Sequence, residues 1–295
     1  MADTDRASEL KKRLRQGLLV GDGGMGTSLT KSGAVRPGQP VEVLNEERPE
    51  AVKAAHQAFL DAGSDILQTN TFQGNASSLS REGLAERAVE LNRAGTALAR
   101  EVAGDRAYVA GSIGPTGGIL EPYGDLTASA VQAAFEEQAQ ALFEAGVDFF
   151  IVETFSAVEE AVIAVHAAAA TGLPVAASLA FEPSGRTSFG VTPQRGAEAL
   201  AAAGAEVVGA NCGTISPAEI VEIARRFREA TQLPLIGQPN AGRPQQTAAG
   251  VDYPERPEVM AEAAGELVAL GATIVGGCCG STAEHIRAIA ARVHG

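Results

Sequence analysis

The 295-residue chain has no tryptophan, three tyrosines and ten phenylalanines. Its core must therefore be built from Ala, Val, Leu and Ile rather than from large rings. Basic residues are the scarcer charge: 23 Lys and Arg stand against 36 Asp and Glu, a formal net charge of −13. A surface this acidic repels nucleic-acid phosphates and anionic membranes, so neither partner is expected. No apolar run reaches the ~18 residues needed to cross a bilayer. Residues 1–16 are charged and lack the apolar stretch of a secretory signal. Cysteine is nearly absent as well, with only Cys212, Cys278 and Cys279. An odd number with two adjacent does not make a disulfide framework, so a reducing, cytoplasmic setting is the expectation.

What is present is an ordinary soluble balance, 45% hydrophobic, punctuated by 34 glycines and 14 prolines. Eight short apolar runs are predicted as strands: Leu18–Met25, Asp65–Thr71, Tyr108–Gly114, Asp148–Phe155, Pro174–Phe181, Val207–Gly213, Pro234–Asn240 and Ala272–Cys279. Between them, apolar residues at three- and four-residue spacing predict helices, as in Glu50–Ala62 and Val131–Ala145. A weak repeat marks the junctions. Asp61-Ala-Gly-Ser-Asp-Ile-Leu recurs in related form at Glu144, Ala202 and Ala269. Gly63, Gly146, Gly204 and Gly271 suit the left-handed position after a helix, with an apolar strand following at once. Eight such units predict a single-domain α/β chain, a (β/α)₈ TIM barrel over residues 1–295 with its core from about 15 to 294. A doubly wound sheet is the weaker alternative, because Gly21-Asp-Gly-Gly-Met-Gly places an acid where a phosphate would approach. Arg36–Pro40 and Gln238–Asp252 read as long loops.

Polar and reactive residues gather at the C-terminal ends of these strands, the ends a barrel directs to its mouth. Cys212 lies at the tip of strand six, and Cys278 and Cys279 at the tip of strand eight. Adjacent residues on a regular strand point oppositely, so both can face one ion only if the strand ends there, which Gly276, Gly277 and Gly280 permit. Three thiolates favour Zn²⁺ and leave a fourth tetrahedral position open, the arrangement of a catalytic zinc. Such an ion lowers the pKa of a substrate thiol, which suits alkyl transfer to sulfur. A buried hydrophobic role for the cysteines is the plain alternative. None of His56, His166, His285 and His294 is placed to serve as a fourth ligand. Asp22 and Glu153 are carboxylates at strand tips, suited to holding an ammonium group or orienting a substrate; for Asp22 a turn role is the alternative. Asn70, Asn211 and Asn240 can bind polar groups or cap the following helices.

Asp22-Gly-Gly-Met-Gly-Thr, Gln68-Thr-Asn-Thr-Phe, Gly111-Ser-Ile-Gly-Pro-Thr-Gly, Glu153-Thr, Asn211-Cys, Pro239-Asn-Ala-Gly and Gly276-Gly-Cys-Cys-Gly-Ser-Thr-Ala-Glu-His together resemble the zinc-dependent homocysteine S-methyltransferase family. The likeness is greatest to the homocysteine-binding module of cobalamin-dependent methionine synthases. It implies a (β/α)₈ barrel, zinc on Cys212, Cys278 and Cys279, and homocysteine as the thiol acceptor, converted to methionine. It further implies that the amino acid moiety is held near Asp22, Gly23, Thr69 and Glu153.

The chain ends about one helix after Cys279, so the folate and cobalamin modules of the large synthases are expected to be absent and the methyl donor separate. Betaine-using relatives enclose their donor with aromatic rings; Gln73 and Thr154 stand at those positions here. A methyl-corrinoid protein is therefore the favoured donor, followed by a small sulfonium. Tyr123, Phe72 or Phe155 remain as material for a different betaine cage. The alternatives are methyl transfer to another thiol and a non-catalytic, zinc-binding regulatory barrel.

Overall fold

The structure is a computed structural model that describes residues 2–36, 38–248 and 250–295. Eight parallel strands form one sheet: β1 (Leu19–Val20), β2 (Ile66–Gln68), β3 (Tyr108–Ile113), β4 (Phe149–Phe155), β5 (Val175–Leu179), β6 (Val207–Asn211), β7 (Leu235–Gln238) and β10 (Ala272–Val275). Their order, β1-β10-β7-β6-β5-β4-β3-β2, keeps sequential neighbours side by side with no switch point. The doubly wound alternative is thereby excluded, and the sheet is a nearly closed (β/α)₈ barrel. No ladder joins β1 to β2. Asp65 bridges that seam twice: Asp65 N donates to Val20 O at 2.7 Å, and Val20 N donates to Asp65 Oδ2 at 2.9 Å.

Alternation along the strands divides the core in two. Leu19, Ile66, Tyr108, Phe149, Ile151, Ala176, Val207, Ile236 and Ile274 pack together inside the barrel. Their neighbours Val20, Leu67, Val109, Phe150, Val152, Ala177, Val208, Leu235 and Val275 pack outward against the helices. Both faces are buried, which is why the strands read as continuous apolar runs. The helix Ala2–Gln16 adds Leu10 and Leu14 to the interior cluster and so fills the end of the barrel opposite the reactive tips.

The two helices singled out from the sequence form as Pro49–Asp61 and Ala128–Glu144. Gly63, Gly146, Gly204 and Gly271 have φ of 103°, 92°, 106° and 90°, the left-handed values expected of them. One loop expectation needs correction. Within Gln238–Asp252, β8 (Gln245–Thr247) and β9 (Gly250–Asp252) pair as an antiparallel hairpin. Neither strand buries a face, so no apolar alternation announces it. Pro37 and Ala249, in the two expected loops, lie outside the described residues.

Candidate active site

Every strand except β4 stops short of its predicted end; residues beyond the strand ends, together with Glu153 and Thr154 inside β4, build the site. β10 ends at Val275, which frees Gly276–Gly280 from the pleat. Cys278 and Cys279 then both turn toward Cys212, and the three sulfur atoms lie within 4.8 Å of one another. Cys212 Sγ and Cys279 Sγ are 3.9 Å apart. Thiolates about 2.3 Å from a tetrahedral zinc sit roughly 3.8 Å from each other, so the donor set fits the ion. Cys212 reaches this position through a left-handed backbone, φ 52°, its N–H donating to Gln238 O at 3.1 Å.

The three thiols, buried side by side, shift one another's ionisation. Bonds from Cys212 and Cys278 draw Cys279 down to about 3. Bonds to Cys212 and Cys279 push Cys278 well above the usual thiol range. Cys212, although its bond with Cys278 opposes the change, is pushed up to about 12 by its bond to Cys279 and by burial. Ionising all three requires a cation among them. No described histidine or carboxylate completes the sulfur cluster. His285 instead caps its own helix, its Nδ1 accepting from Thr282 N at 3.2 Å.

A cavity of about 210 Å³ opens beside the sulfurs, its wall including Asp22, Gly23, Thr69, Glu153 and the three cysteines. Glu153, on β4, accepts from Ser112 Oγ at 2.7 Å, Gln68 Nε2 at 3.0 Å and Asn211 Nδ2 at 3.1 Å. Burial nonetheless raises it to about 7, against the Ser112 bond and helped by the charge of Cys279. Asp22 accepts from Gln68 N at 2.8 Å through Oδ2, while its buried Oδ1 has no partner among the described residues. Burial lifts Asp22 well above the usual carboxylate range, opposed by the Gln68 N–H and helped by Glu153. Two buried acids, one with an orphaned oxygen, favour an incoming cationic group. Gly23 leaves the room: a Cβ there would lie 2.6 Å from Phe59 and 2.9 Å from Ser281 O. Thr69 Oγ1 pairs with Thr71 Oγ1 at 2.6 Å and accepts from Ser112 N at 3.0 Å.

Asn211 lies behind this wall, 1% exposed. Its amide brackets Thr154, accepting from Thr154 N at 2.8 Å and donating to Thr154 Oγ1 at 2.7 Å, and its Oδ1 also accepts from Ser178 Oγ at 2.8 Å. That grip holds Thr154 at φ 66°, a conformation costing a non-glycine residue about 1–3 kcal/mol. None of Asn70, Asn211 and Asn240 caps a following helix. Asn70 Nδ2 bonds Val41 O and Asn45 Oδ1, and Asn240 Nδ2 bonds Gly213 O. Among the aromatic candidates, Phe72 lines the cavity, Phe155 is sealed in the core against Phe135, and Tyr123 borders a different cavity. Thr154 is on the cavity wall, whereas Gln73 lines another cavity beside Pro40 and Arg81.

Sequence reasoning missed the supporting roles of Gln68, Ser112, Ser178 and Gln238. Gln238 Nε2 donates to Gln68 Oε1 at 2.8 Å, which orients the Gln68 amide toward Glu153. The signal for Ser178 is a lone hydroxyl in an otherwise apolar buried strand. Tyr253, beyond the hairpin, was also missed. Its phenol is raised by burial and by the charge of Cys279, and its Cβ lies 2.2 Å from where a side chain on Gly280 would begin.

Fold and site define a (β/α)₈ barrel with a thiol-lined, metal-competent centre at its mouth. The chain belongs to the homocysteine S-methyltransferase family, which it matches over residues 19–293. It is 34% identical over 304 residues to the methionine synthase of Mycobacterium leprae, covering 97% of this chain and 25% of that protein. It is 38% identical over 303 residues to betaine–homocysteine S-methyltransferase 1 of Bos taurus, covering 95% of this chain and 73% of the relative. The chain thus spans about a quarter of the length of the methionine synthases it matches. In fold it is similar to the metallated form of the Escherichia coli homocysteine methyltransferase MmuM, with a TM-score of 0.77, 24% identity, and 94% and 96% of the two chains covered. No described helix is long and apolar enough to cross a membrane.

Proposed function

We propose that the protein transfers a methyl group from a separate donor to the thiol of homocysteine, forming methionine, with zinc held by Cys212, Cys278 and Cys279. The observation that carries this reading is the convergence of three thiols within 4.8 Å beside two buried carboxylates on one cavity wall. Zinc at these thiolates supplies a Lewis acid that keeps the incoming thiol deprotonated at neutral pH. Asp22, through its unpartnered Oδ1, and Glu153 hold the substrate ammonium. Gly23 and Thr69 shape the wall around its amino acid moiety, and Asn211 fixes Glu153 and Thr154 from behind. With zinc held there, the thiol would lose its proton to water and its sulfur would be free to attack the donor methyl: a carbon–sulfur bond would form as the bond from carbon to the donor breaks, its electron pair leaving with the donor.

A methylated corrinoid is the favoured donor. Phe72 is the one aromatic residue on the described cavity wall, too few rings to enclose a quaternary ammonium. The similarity to betaine-using relatives supplies the competing donor, and side-by-side initial rates separate them. Methylcobalamin should support methionine formation well above glycine betaine at equal concentration. Faster turnover with betaine reverses the donor assignment, and no methionine from any donor removes the enzymatic reading. Elemental analysis should find one zinc per chain, lost in Cys278→Ser; stoichiometric zinc in that variant removes the ligand assignment.

A further inference from the structure

Behind the cysteine pair of loop 276–280 runs the segment Tyr253-Pro254-Glu255, which leaves the β8–β9 hairpin and has no part in the methyl transfer described above. Its backbone is tied to that loop. Ala241 N donates to Cys279 O and Glu255 N donates to Ala241 O, both at 2.9 Å. His285 accepts from Thr282 N through Nδ1 at 3.2 Å, so its Nε2 carries the proton that goes to Glu255 O at 3.0 Å. Pro254 restricts Tyr253 to extended backbone. Glycines make the room. A Cβ on Gly280 would lie 2.2 Å from Tyr253 Cβ, and one on Gly242 would lie 2.9 Å from Glu255 Cβ. The glycines that close the Pro239-Asn-Ala-Gly and Gly276-Gly-Cys-Cys-Gly motifs thus admit this segment, besides turning the chain at φ 89° and 78°.

Held in this way, the Tyr253 phenol donates a hydrogen bond to the Cys279 sulfur. The other two sulfurs are served alike. Gly213 N donates to Cys212 Sγ, and Asn211 Nδ2 donates to Cys278 Sγ at 3.8 Å. Each sulfur therefore has an N–H or O–H donor that is not another thiol. Tyr253 is not among the residues walling the thiol cavity, so it acts on the sulfur and not on an incoming molecule. Such donors matter because three thiolates already outweigh the two charges of a zinc ion, and a substrate thiolate adds to the excess. Asp22 and Glu153 stand beside the same cavity and add no positive charge. Hydrogen bonds from outside the ligand set orient each ligand and draw off part of its charge.

We infer that Tyr253 is a positioning residue of the metal centre: its phenol holds the Cys279 sulfur toward the ion and takes up part of the negative charge that gathers there. The inference rests on the proposed zinc assignment and not on the choice of methyl donor. Tyr253→Phe keeps the ring against Gly280 and removes only the O–H. Cobalt(II) loaded in place of zinc reports on the sulfurs directly, through its sulfur-to-metal charge-transfer band. A sulfur that loses a hydrogen bond holds its lone pairs less tightly, so the band of Tyr253→Phe should move to longer wavelength. Zinc affinity, read by chelator competition on the full chain, should fall by about 10-fold or more. The thermal midpoint of the metal-free protein should be the same in parent and variant. An unmoved cobalt band overturns the inference whatever the affinity does. A lowered metal-free midpoint in Tyr253→Phe overturns it too, by assigning the phenol to packing. A parent chain that binds neither metal fails at an earlier point, the zinc assignment itself, and the inference falls with it.

Discussion

Glu153 shows how a single acid is prepared for its task. Three donors hold its carboxylate in place, yet burial keeps it near pH 7 and leaves it short of positive charge. Glu153→Gln should keep one acceptor oxygen for Ser112 and Gln68, set an NH2 against the Asn211 amide, and lose the charge pair. Homocysteine affinity of the zinc-loaded protein should fall by about 2–5 kcal/mol while zinc content is unchanged, as read by calorimetry and elemental analysis. Asn211→Ala tests the frame itself. It strips partners from Thr154 N and Ser178 Oγ, so urea unfolding should show a loss of roughly 1–3 kcal/mol. The cysteines and Asp22 stand out in the sequence as reactive side chains among glycines at strand tips, and Glu153 as an acid in an otherwise apolar strand. Asn211 was legible only as a candidate. What it does depends on the left-handed turn at Thr154, and neither residue type announces such a conformation. Tyr253 left no signal, because its approach to Cys279 is made by a hairpin with no apolar pattern.

Elements were the most readable level. The four helix-ending glycines and the strands that follow them sit where the repeat placed them. Outside β4, whose end at Phe155 is as expected, the strands are shorter than expected because their tips leave the ladder. Gly21 N and Gly276 N still donate to Val275 O and Gly237 O, but the regular ladder ends before them. The helix Pro49–Asp61 makes a further prediction. His56, on its buried face, has no partner for either ring nitrogen among the described residues, and burial lowers it to about 4. Its unfolded value is 6.5, so between pH 6.5 and 4 the unfolded chain takes up a proton that the folded chain refuses. Stability from this group is complete above pH 6.5 and drains away as pH falls toward 4, by at most on the order of 3 kcal/mol. His56→Leu should flatten that acid limb. Urea midpoints at pH 7.5 and pH 5 should differ less in the variant than in the parent; an equal difference in both would assign the acid loss to other groups.

At the scale of the whole molecule, the barrel is sealed at one end and open at the other. The first helix drives Leu10 and Leu14 into the same interior cluster as the strand residues. Leu14→Ala should therefore behave as a core truncation, costing roughly 2–5 kcal/mol in urea unfolding, despite its place in the first turns of the chain. The open end carries the thiols, and Cys212 and Cys279 reach across from the regions following β6 and β10. Metal bound there should tie the last third of the chain together, and a chelator should lower the thermal midpoint of the wild type but not of Cys278→Ser. Asp65 has a larger consequence. Its backbone and carboxylate stitch β2 to β1 where no ladder runs, and the same carboxylate takes Arg13 at 3.2 Å and His294 at 3.1 Å from the first and last helices. Asp65 thus ties the seam, beside the Gln68 N–H bond to Asp22, to both the first and the last helix. In deuterated water, the Val20 and Asp65 amides should exchange ahead of equally deep amides in β4 and β5, and Asp65→Asn should hasten them further: the circle opens like a bracelet, at its clasp.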